Sequence, residues 1–216
     1  MTDAQSFYGR WARVYDWVAN APGVASWRDR TADSLALAPD DTVIEMGCGT
    51  GPNVPALRER VGPSGQIVGI DVTQEMLNRA RERPARTGGA VHYVQADAAR
   101  PPVWAADAVL ATFVTGIFED PAAAVDVWCD SVAPGGRVAL LNFQRSDRSL
   151  AAPLNLAFEG FVRLSAPGTR LSMRSHASAF ERRVQAARER LTERTVDRRY
   201  ETFAGGFLGL LRGTVP

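Results

Sequence analysis

The sequence contains no lysine, and only two cysteines and two histidines, in 216 residues. Cys48 and Cys129 form no paired framework, which indicates a reducing compartment and argues against a disulfide-stabilised secreted domain. His92 and His176 lie far apart, and no cysteine or carboxylate cluster stands at ligand spacing beside them, so the sequence predicts no metal site. The absence of lysine among 25 basic residues indicates a coding bias and carries no functional information.

Strong charge and long apolar runs are also missing. The formal net charge is +1, so no overall field attracts nucleic acid. No uninterrupted apolar stretch is long enough to span a bilayer and no segment resembles a signal peptide, so we expect a cytoplasmic protein. With 45% hydrophobic residues, the chain can bury one core, and a second full domain would not fit.

Residues 43–51 read VIEMGCGTG, a β-branched strand that ends in an acid and then in glycines at alternate positions. Such a segment turns a parallel strand tightly into a helix beneath a small nucleoside ligand. A dinucleotide fingerprint, G-x-G-x-x-G, would need its third glycine at Pro52, which disfavours a nicotinamide-dependent oxidoreductase. The pattern present is E-x-G-x-G-x-G, from Glu45 to Gly51.

Strand and helix patterns alternate through the middle of the chain. The predicted strands are residues 42–47, 66–71, 90–95, 106–113 and 137–143, and the predicted helices are residues 54–60, 74–83 and 122–132. Apolar runs without clean alternation are typical of strands buried on both faces of a parallel sheet. Residues 134–136, Pro-Gly-Gly, predict a turn into the fifth strand. Right-handed crossovers then give an open doubly wound sheet with its ligand at the carboxyl ends of the strands.

The order of these motifs resembles the class I S-adenosylmethionine-dependent methyltransferases: the glycine loop, then GIDVTQEML, YVQAD and VAPGGRVALLNF. The start, FYGRWARVYDWV, is similar to the opening helix of bacterial phosphatidylethanolamine N-methyltransferases. The end, YETFAGGFLGLLRGTVP, resembles the last two strands of menaquinone and ubiquinone C-methyltransferases, where a Gly-Gly turn joins an antiparallel pair.

This resemblance implies an α/β, Rossmann-like, mostly parallel seven-stranded sheet with an antiparallel C-terminal strand. It also implies S-adenosyl-L-methionine as cofactor and a single domain made of four segments. These are an N-terminal helical cap (1–41), a cofactor-binding core (42–145), a helical acceptor-side segment after the fifth strand (146–194) and a C-terminal strand pair (195–216).

The cofactor site is expected at successive strand ends. Glu45 can accept from the methionine ammonium or order the loop, and Asp71 offers two acceptors to a ribose diol. Met76 can cover the adenine face, and by resemblance Asp97 accepts from the adenine amino group. The alternative is that each acid caps a helix or lies in a solvated loop. The predicted cofactor-binding residues are Tyr8, Tyr15, Glu45, Gly47, Cys48, Gly49, Gly51, Asp71, Val72, Met76, Asp97, Ala98, Thr112 and Phe113.

The amino-terminal helix has an apolar stripe of residues spaced at i, i+4, i+7 and i+11, which begins with Phe7 and Trp11. The resemblance implies a lid over the cofactor, with Tyr8 or Tyr15 reaching the methionine carboxylate. An interfacial helix in peripheral contact with a membrane is a second interpretation, because tryptophan and arginine suit a headgroup region. Plain packing on the sheet edge is a third.

The segment after the fifth strand is expected to face the methyl acceptor. Residues 150–164 predict a helix with Phe158 and Phe161 near one face. Residues 174–199 carry eight arginines and four acids. This stretch could attract anionic headgroups or an acidic substrate, or it could be a solvated helix face.

Methyl transfer needs few side chains, because the sulfonium donor is already activated. If the acceptor must lose a proton, the candidate bases are His176, Glu119 and Tyr8. Quinone C-methyltransferases typically carry Gly-[Leu/Ile]-Arg-Asn after the fourth strand, where this chain has FVTGIFED. Amine or oxygen methylation of a small, lipophilic acceptor is therefore at least as well supported as ring methylation. A sensor or accessory subunit that binds the cofactor without turnover is the alternative.

Overall fold

The structure is a computed structural model, and it describes residues 24–83, 88–102, 105–146 and 173–216. Its helices are α1 (Val24–Ser34), α2 (Val54–Val61), α3 (Gln74–Glu82), α4 (Pro121–Asp130) and α5 (Met173–Arg194). Its strands are β1 (Thr42–Met46), β2 (Gln66–Asp71), β3 (Val91–Gln95), β4 (Ala106–Thr112), β5 (Val132–Phe143), β6 (Val196–Phe203) and β7 (Leu208–Thr214).

The strands form one seven-stranded sheet in the order β3-β2-β1-β4-β5-β7-β6. β1 pairs in parallel with both β2 and β4, whereas β7 is antiparallel to both of its neighbours, β5 and β6. The predicted mostly parallel, doubly wound sheet with an antiparallel C-terminal strand is confirmed. The strand order reverses at β1, so the loop that follows β1 lies at the topological switch point, where open α/β sheets bind ligands.

Both faces of the sheet are covered, which explains the apolar character of the central strands. One core cluster contains Val109, Leu140, Trp128 and Leu191 beneath α4 and α5, and the other contains Leu57 and Leu110 beneath α1 and α2. Trp128 is fully buried, and its indole Nε1 donates to the Ala98 carbonyl at 2.7 Å. The polar edge of this buried ring is therefore satisfied.

The start of α4 is determined by local capping. The Asp120 side chain accepts from the Ala123 backbone N–H at 3.0 Å, and Pro121 takes the first helical position, where its missing N–H costs nothing. The helix ends at Asp130, before the predicted residue 132, because β5 already begins at Val132.

The predicted turn at residues 134–136 is wrong, because these residues lie inside β5. The register shifts there, with Val132 opposite Ala106 and Arg137 opposite Ala108. The displaced segment is held by the end of the chain, since Gly135 N–H donates to the Val215 carbonyl and Val215 N–H donates to the Gly136 carbonyl, both at 2.9 Å. A bulged strand thus replaces the expected turn.

Ion pairs connect the helices to one another and to the sheet. Arg60 of α2 bonds to Asp29 and Asp33 of α1, and Arg30 of α1 bonds to Glu201 of β6. Among the described residues, no helix combines the length and the apolarity that a membrane-crossing segment needs. The predicted amino-terminal stripe and the predicted helix at 150–164 lie outside the described residues.

Candidate functional site

The glycine loop leaves β1 with left-handed backbone angles that favour glycine. Gly47 has φ +68°, and a Cβ at this position would lie 2.7 Å from Val114 Cγ2. Gly49 has φ +54° and has no atom within 4 Å of the place where a Cβ would stand. The backbone at Gly49 therefore borders open space, as close approach of a ligand requires.

Glu45 lies at the carboxyl end of β1 and is completely buried. Its Oε1 accepts from Asn53 Nδ2 at 2.6 Å, and its Oε2 has no hydrogen-bond partner. Burial raises the pKa of Glu45 to about 7, and the hydrogen bond from Asn53 opposes that shift. A cation placed beside the free oxygen would favour the ionised form, so the group suits a ligand ammonium.

Asp71 ends β2 and holds the glycine loop. Its Oδ2 accepts from the Gly49 N–H at 2.9 Å and its Oδ1 accepts from the Thr73 N–H at 2.8 Å. Burial raises the pKa of Asp71, and these two backbone hydrogen bonds oppose the shift. Each oxygen keeps a further lone pair, so the carboxylate can still accept from a vicinal diol.

The residues predicted for the adenine side follow the neighbouring strands. Val72 is 51% exposed, whereas Met76 is buried, so Val72 is the apolar side chain that is open to a ligand. Asp97 is exposed, and its Oδ1 accepts from the Ala99 N–H at 2.9 Å. This contact is the loop cap that the alternative interpretation expects. The Ala98 carbonyl accepts from Trp128, which occupies one of its two lone pairs.

The carboxyl end of β4 lies beside the loop. Thr112 Oγ1 accepts from Asn53 Nδ2 at 3.1 Å, which connects this strand end to Glu45 through a shared amide. Phe113 has φ +61° without being glycine, and its ring stacks on Phe143 with centroids 4.2 Å apart. Strained backbone of this kind often occurs at functional sites.

Cys48 is buried within the loop and faces Gly69 of β2, where a Cβ would come within 2.8 Å of its Sγ. Burial raises the pKa of the Cys48 thiol. The thiol is therefore protonated at neutral pH and packs the loop against the sheet, which leaves no thiolate nucleophile here.

The three predicted bases are not brought together by the described residues. Glu119 is exposed just before α4, and His176 lies on α5, where its side chain is not described. Tyr8 lies outside the described residues, as does Tyr15. Within the described ranges, no group of three or more His, Cys, Asp or Glu side chains is arranged to hold a metal ion.

Several polar residues at this edge were not predicted. Asn53 connects two strand ends, as described above. Asn142 is fully buried near the end of β5, where its Oδ1 accepts from Thr115 Oγ1 at 2.7 Å. The signal for Asn142 was present in the sequence, because it interrupts the apolar run VALLNF with a polar residue that a buried strand must satisfy.

Comparisons with known proteins agree with this geometry. Residues 43–136 match the family described as "Methyltransferase domain" (Methyltransf_25). This match, the named relatives and the shared fold together support a class I S-adenosylmethionine-dependent methyltransferase. S-adenosyl-L-methionine is the cofactor of this class, and the predicted family and cofactor are confirmed.

This methyltransferase has relatives with different acceptors. It is 32% identical over 139 residues to Nocamycin O-methyltransferase from Saccharothrix syringae. This match covers 62% of this chain and 48% of that protein. It is 24% identical over 201 residues to the ubiquinone/menaquinone biosynthesis C-methyltransferase UbiE from Vibrio parahaemolyticus. This match covers 87% of this chain and 76% of that protein. The chain spans half or less of the length of the first curated relatives that it matches.

Solved structures share the fold of this methyltransferase. One example is geranyl diphosphate C-methyltransferase from Streptomyces coelicolor, solved with S-adenosyl-L-homocysteine. Its TM-score is 0.63 at 15% identity, and the match covers 89% of this chain and 79% of that chain.

Proposed function

We propose that this methyltransferase transfers the methyl group of S-adenosylmethionine to a small, lipophilic acceptor by in-line displacement. The observation that carries the proposal is a pair of carboxylates, the buried Glu45 and the partly buried Asp71, around the open backbone at Gly49. The two strand ends are adjacent, since Met46 pairs with Ile70. A cationic amine and a diol on one ligand match these two acceptors.

The chain's own residues would bind and orient the cofactor. Glu45 Oε2 would accept from the methionine ammonium, and Asp71 would accept from the ribose hydroxyls while still holding the loop. Val72 and Met76 would line the adenine, with Asp97 at its amino group. When bound, the cofactor supplies a sulfonium-activated methyl group. The remaining task of the protein is to align the acceptor and exclude water.

The acceptor would enter at the carboxyl end of β4. Thr112 and Phe113 would form the floor between the sulfonium and the acceptor, and the stacked Phe143 adds apolar surface there. Ile117, 49% exposed in the short 3-10 turn after β4, lies on the same side. Aromatic and aliphatic surface beside a methyl donor favours a lipophilic acceptor over a strongly hydrated one.

The class of acceptor stays open between oxygen, nitrogen and ring carbon. The relatives methylate nocamycin oxygen and quinone carbon by their names. Set against Gly-[Leu/Ile]-Arg-Asn, Gly116 and Ile117 keep the first two positions of the quinone motif, and Phe118 and Glu119 stand where the arginine and asparagine are expected. The loss of both side chains weighs against ring methylation.

The proposal is tested by incubating the protein with cell extract and isotope-labelled S-adenosylmethionine. Mass spectrometry should find a lipophilic metabolite that gains about 14 Da and the label, because the transferred methyl identifies its acceptor. Binding of S-adenosylhomocysteine without any labelled product, across extracts and an acceptor panel, would contradict turnover. That outcome would favour the sensor or accessory role instead.

A further inference from the structure

A polar cluster surrounds Gly209 on the acceptor side of the sheet, apart from the glycine loop. The Tyr200 hydroxyl donates to Gln144 Oε1, and Gln144 Nε2 donates to the Gly206 carbonyl at 3.0 Å. Arg188 of α5 lies over the Tyr200 ring, with its guanidinium carbon 5.1 Å from the ring centroid. We name Gly209 and these side chains of Gln144, Arg188 and Tyr200 the Gly209 recess.

The missing side chain at Gly209 lets three side chains approach the backbone of β7. A Cβ there would collide with Gln144 Oε1, Arg188 Nη2 and the Tyr200 hydroxyl. Three polar groups, one just after β5, one on α5 and one on β6, therefore converge over a single backbone position of β7. Because Tyr200 is 49% exposed, the cluster also reaches the surface.

Two buried donors beside the recess have no partner. Arg188 Nε and Asn142 Nδ2 are both inaccessible to solvent and unbonded. Asn142 stands directly opposite Gly209 in the β5–β7 register, so its side chain lies on the face of the sheet that a side chain at Gly209 would occupy. A buried donor without an acceptor is unfavourable, and an entering oxygen would supply the missing hydrogen bond.

Arg188 differs from the other arginines of its helix. Arg190 and Arg194 both bond to Asp126 of α4. Arg188 has no carboxylate partner in the described part of the chain, and its Nη2 makes only a long contact of 3.5 Å to the Gly209 carbonyl. Burial lowers the pKa of Arg188. A partly buried guanidinium without an anion is unfavourable unless a ligand supplies one.

Resting on the proposed methyl transfer, we propose that the Gly209 recess binds an anionic oxygen group of the methyl acceptor, a carboxylate or a phosphate. Arg188 presents the charge-assisted donors for such a group, and Asn142 Nδ2 adds a neutral donor from the adjacent strand. The recess lies near the carboxyl end of β5, beside the strand end that carries Thr112, since Thr112 pairs with Leu141. The anion would orient the acceptor relative to the methyl group.

The test titrates the full chain, loaded with S-adenosylhomocysteine, with probes that share a hexyl chain: hexanoate, hexyl phosphate, hexan-1-ol and hexylamine. We expect at least one anion to bind about tenfold more tightly than hexan-1-ol and hexylamine, as charge-assisted hydrogen bonds predict. The anion that binds more tightly distinguishes a carboxylate acceptor from a phosphate ester. Arg188→Met should abolish the preference, and Arg188→Lys should keep part of it.

Arg182→Met is the matched control, because Arg182 is exposed on the same helix. It should leave the anion preference unchanged. Equal affinity of the wild-type protein for all the probes would overturn the inference, as would equal losses in Arg182→Met and Arg188→Met. If Arg188→Met does not fold, the wild-type comparison decides alone. Failure to bind S-adenosylhomocysteine at all would instead overturn the proposed function, and with it this inference.

Discussion

Replacing Asp71 with alanine tests the role of the second strand end in cofactor binding. The carboxylate is partly buried, and it already accepts from the backbone of Gly49 and Thr73. The variant loses the acceptor for the ribose hydroxyls and also releases the loop. Loss of one hydrogen bond to a charged group costs about 1.5 to 3 kcal/mol, which corresponds to a dissociation constant raised about tenfold to 150-fold.

Isothermal titration calorimetry with S-adenosylhomocysteine measures this change directly. Asp107→Ala is a suitable control, because Asp107 Oδ2 accepts from the Thr42 N–H at 2.8 Å at the opposite end of the sheet. That variant also loses a backbone acceptor, but far from the loop. Unchanged affinity in Asp71→Ala would refute the ribose assignment, and equal losses in both variants would show that the effect comes from general destabilisation.

Four further predictions follow from the same site and from the sequence. Affinity for S-adenosylhomocysteine should fall about tenfold per pH unit below pH 7, because Glu45 must lose a proton to bind the ammonium, and should be constant above pH 7. Glu45→Gln should remove this pH dependence. A wild-type affinity that does not change with pH would contradict the prediction. Because the pKa of Glu45 is raised in the folded state, its protonated form favours folding, and the melting temperature of the wild-type protein should fall as pH rises through about 7. The melting temperature of Glu45→Gln should not show this fall. Activity with labelled donor should survive dialysis against EDTA, and a loss restored by a divalent ion would reveal an unrecognised metal site. Trp11→Ala should weaken co-sedimentation with anionic vesicles and leave the affinity for S-adenosylhomocysteine unchanged. If the wild-type protein stays in the supernatant at every lipid composition, delivery of the acceptor from a membrane is excluded.

The parts of the fold that local sequence determines were predicted well. β1 and β2 end within one residue of their predicted bounds, because the first run ends at Gly47 and the second at Asp71. β5 starts at Val132 because residues 134–136 are paired with Val215, a partner far along the chain. No local pattern contains that contact, so Pro-Gly-Gly was interpreted as a turn.

In the candidate site, too, features set by local sequence were predicted and features set by tertiary contacts were not. Glu45 and Asp71 were found because their positions follow from strand ends and glycine spacing, and their ligand roles stay predictions. That Asp71 also holds the loop through Gly49 could not be predicted, because the contact forms only when β1 and β2 are adjacent. Likewise, the pattern of the arginine-rich stretch does not reveal that Arg190 is paired with α4 while Arg188 has no carboxylate partner in the part of the chain that the structure describes.

The internal position of β7 has a consequence for the order in which the sheet assembles. β5 pairs with β4 at one edge. Its other edge stays unpaired until residues 208–214, which a long segment separates from β5 in the sequence, have been synthesised and have paired with it. Such a non-local closure is slow, because the chain loses loop entropy before the new contacts form. Until then the apolar edge around Leu140 is available to other chains. Expression at high temperature should therefore produce aggregates that involve this edge, even where the β1–β4 core has already folded.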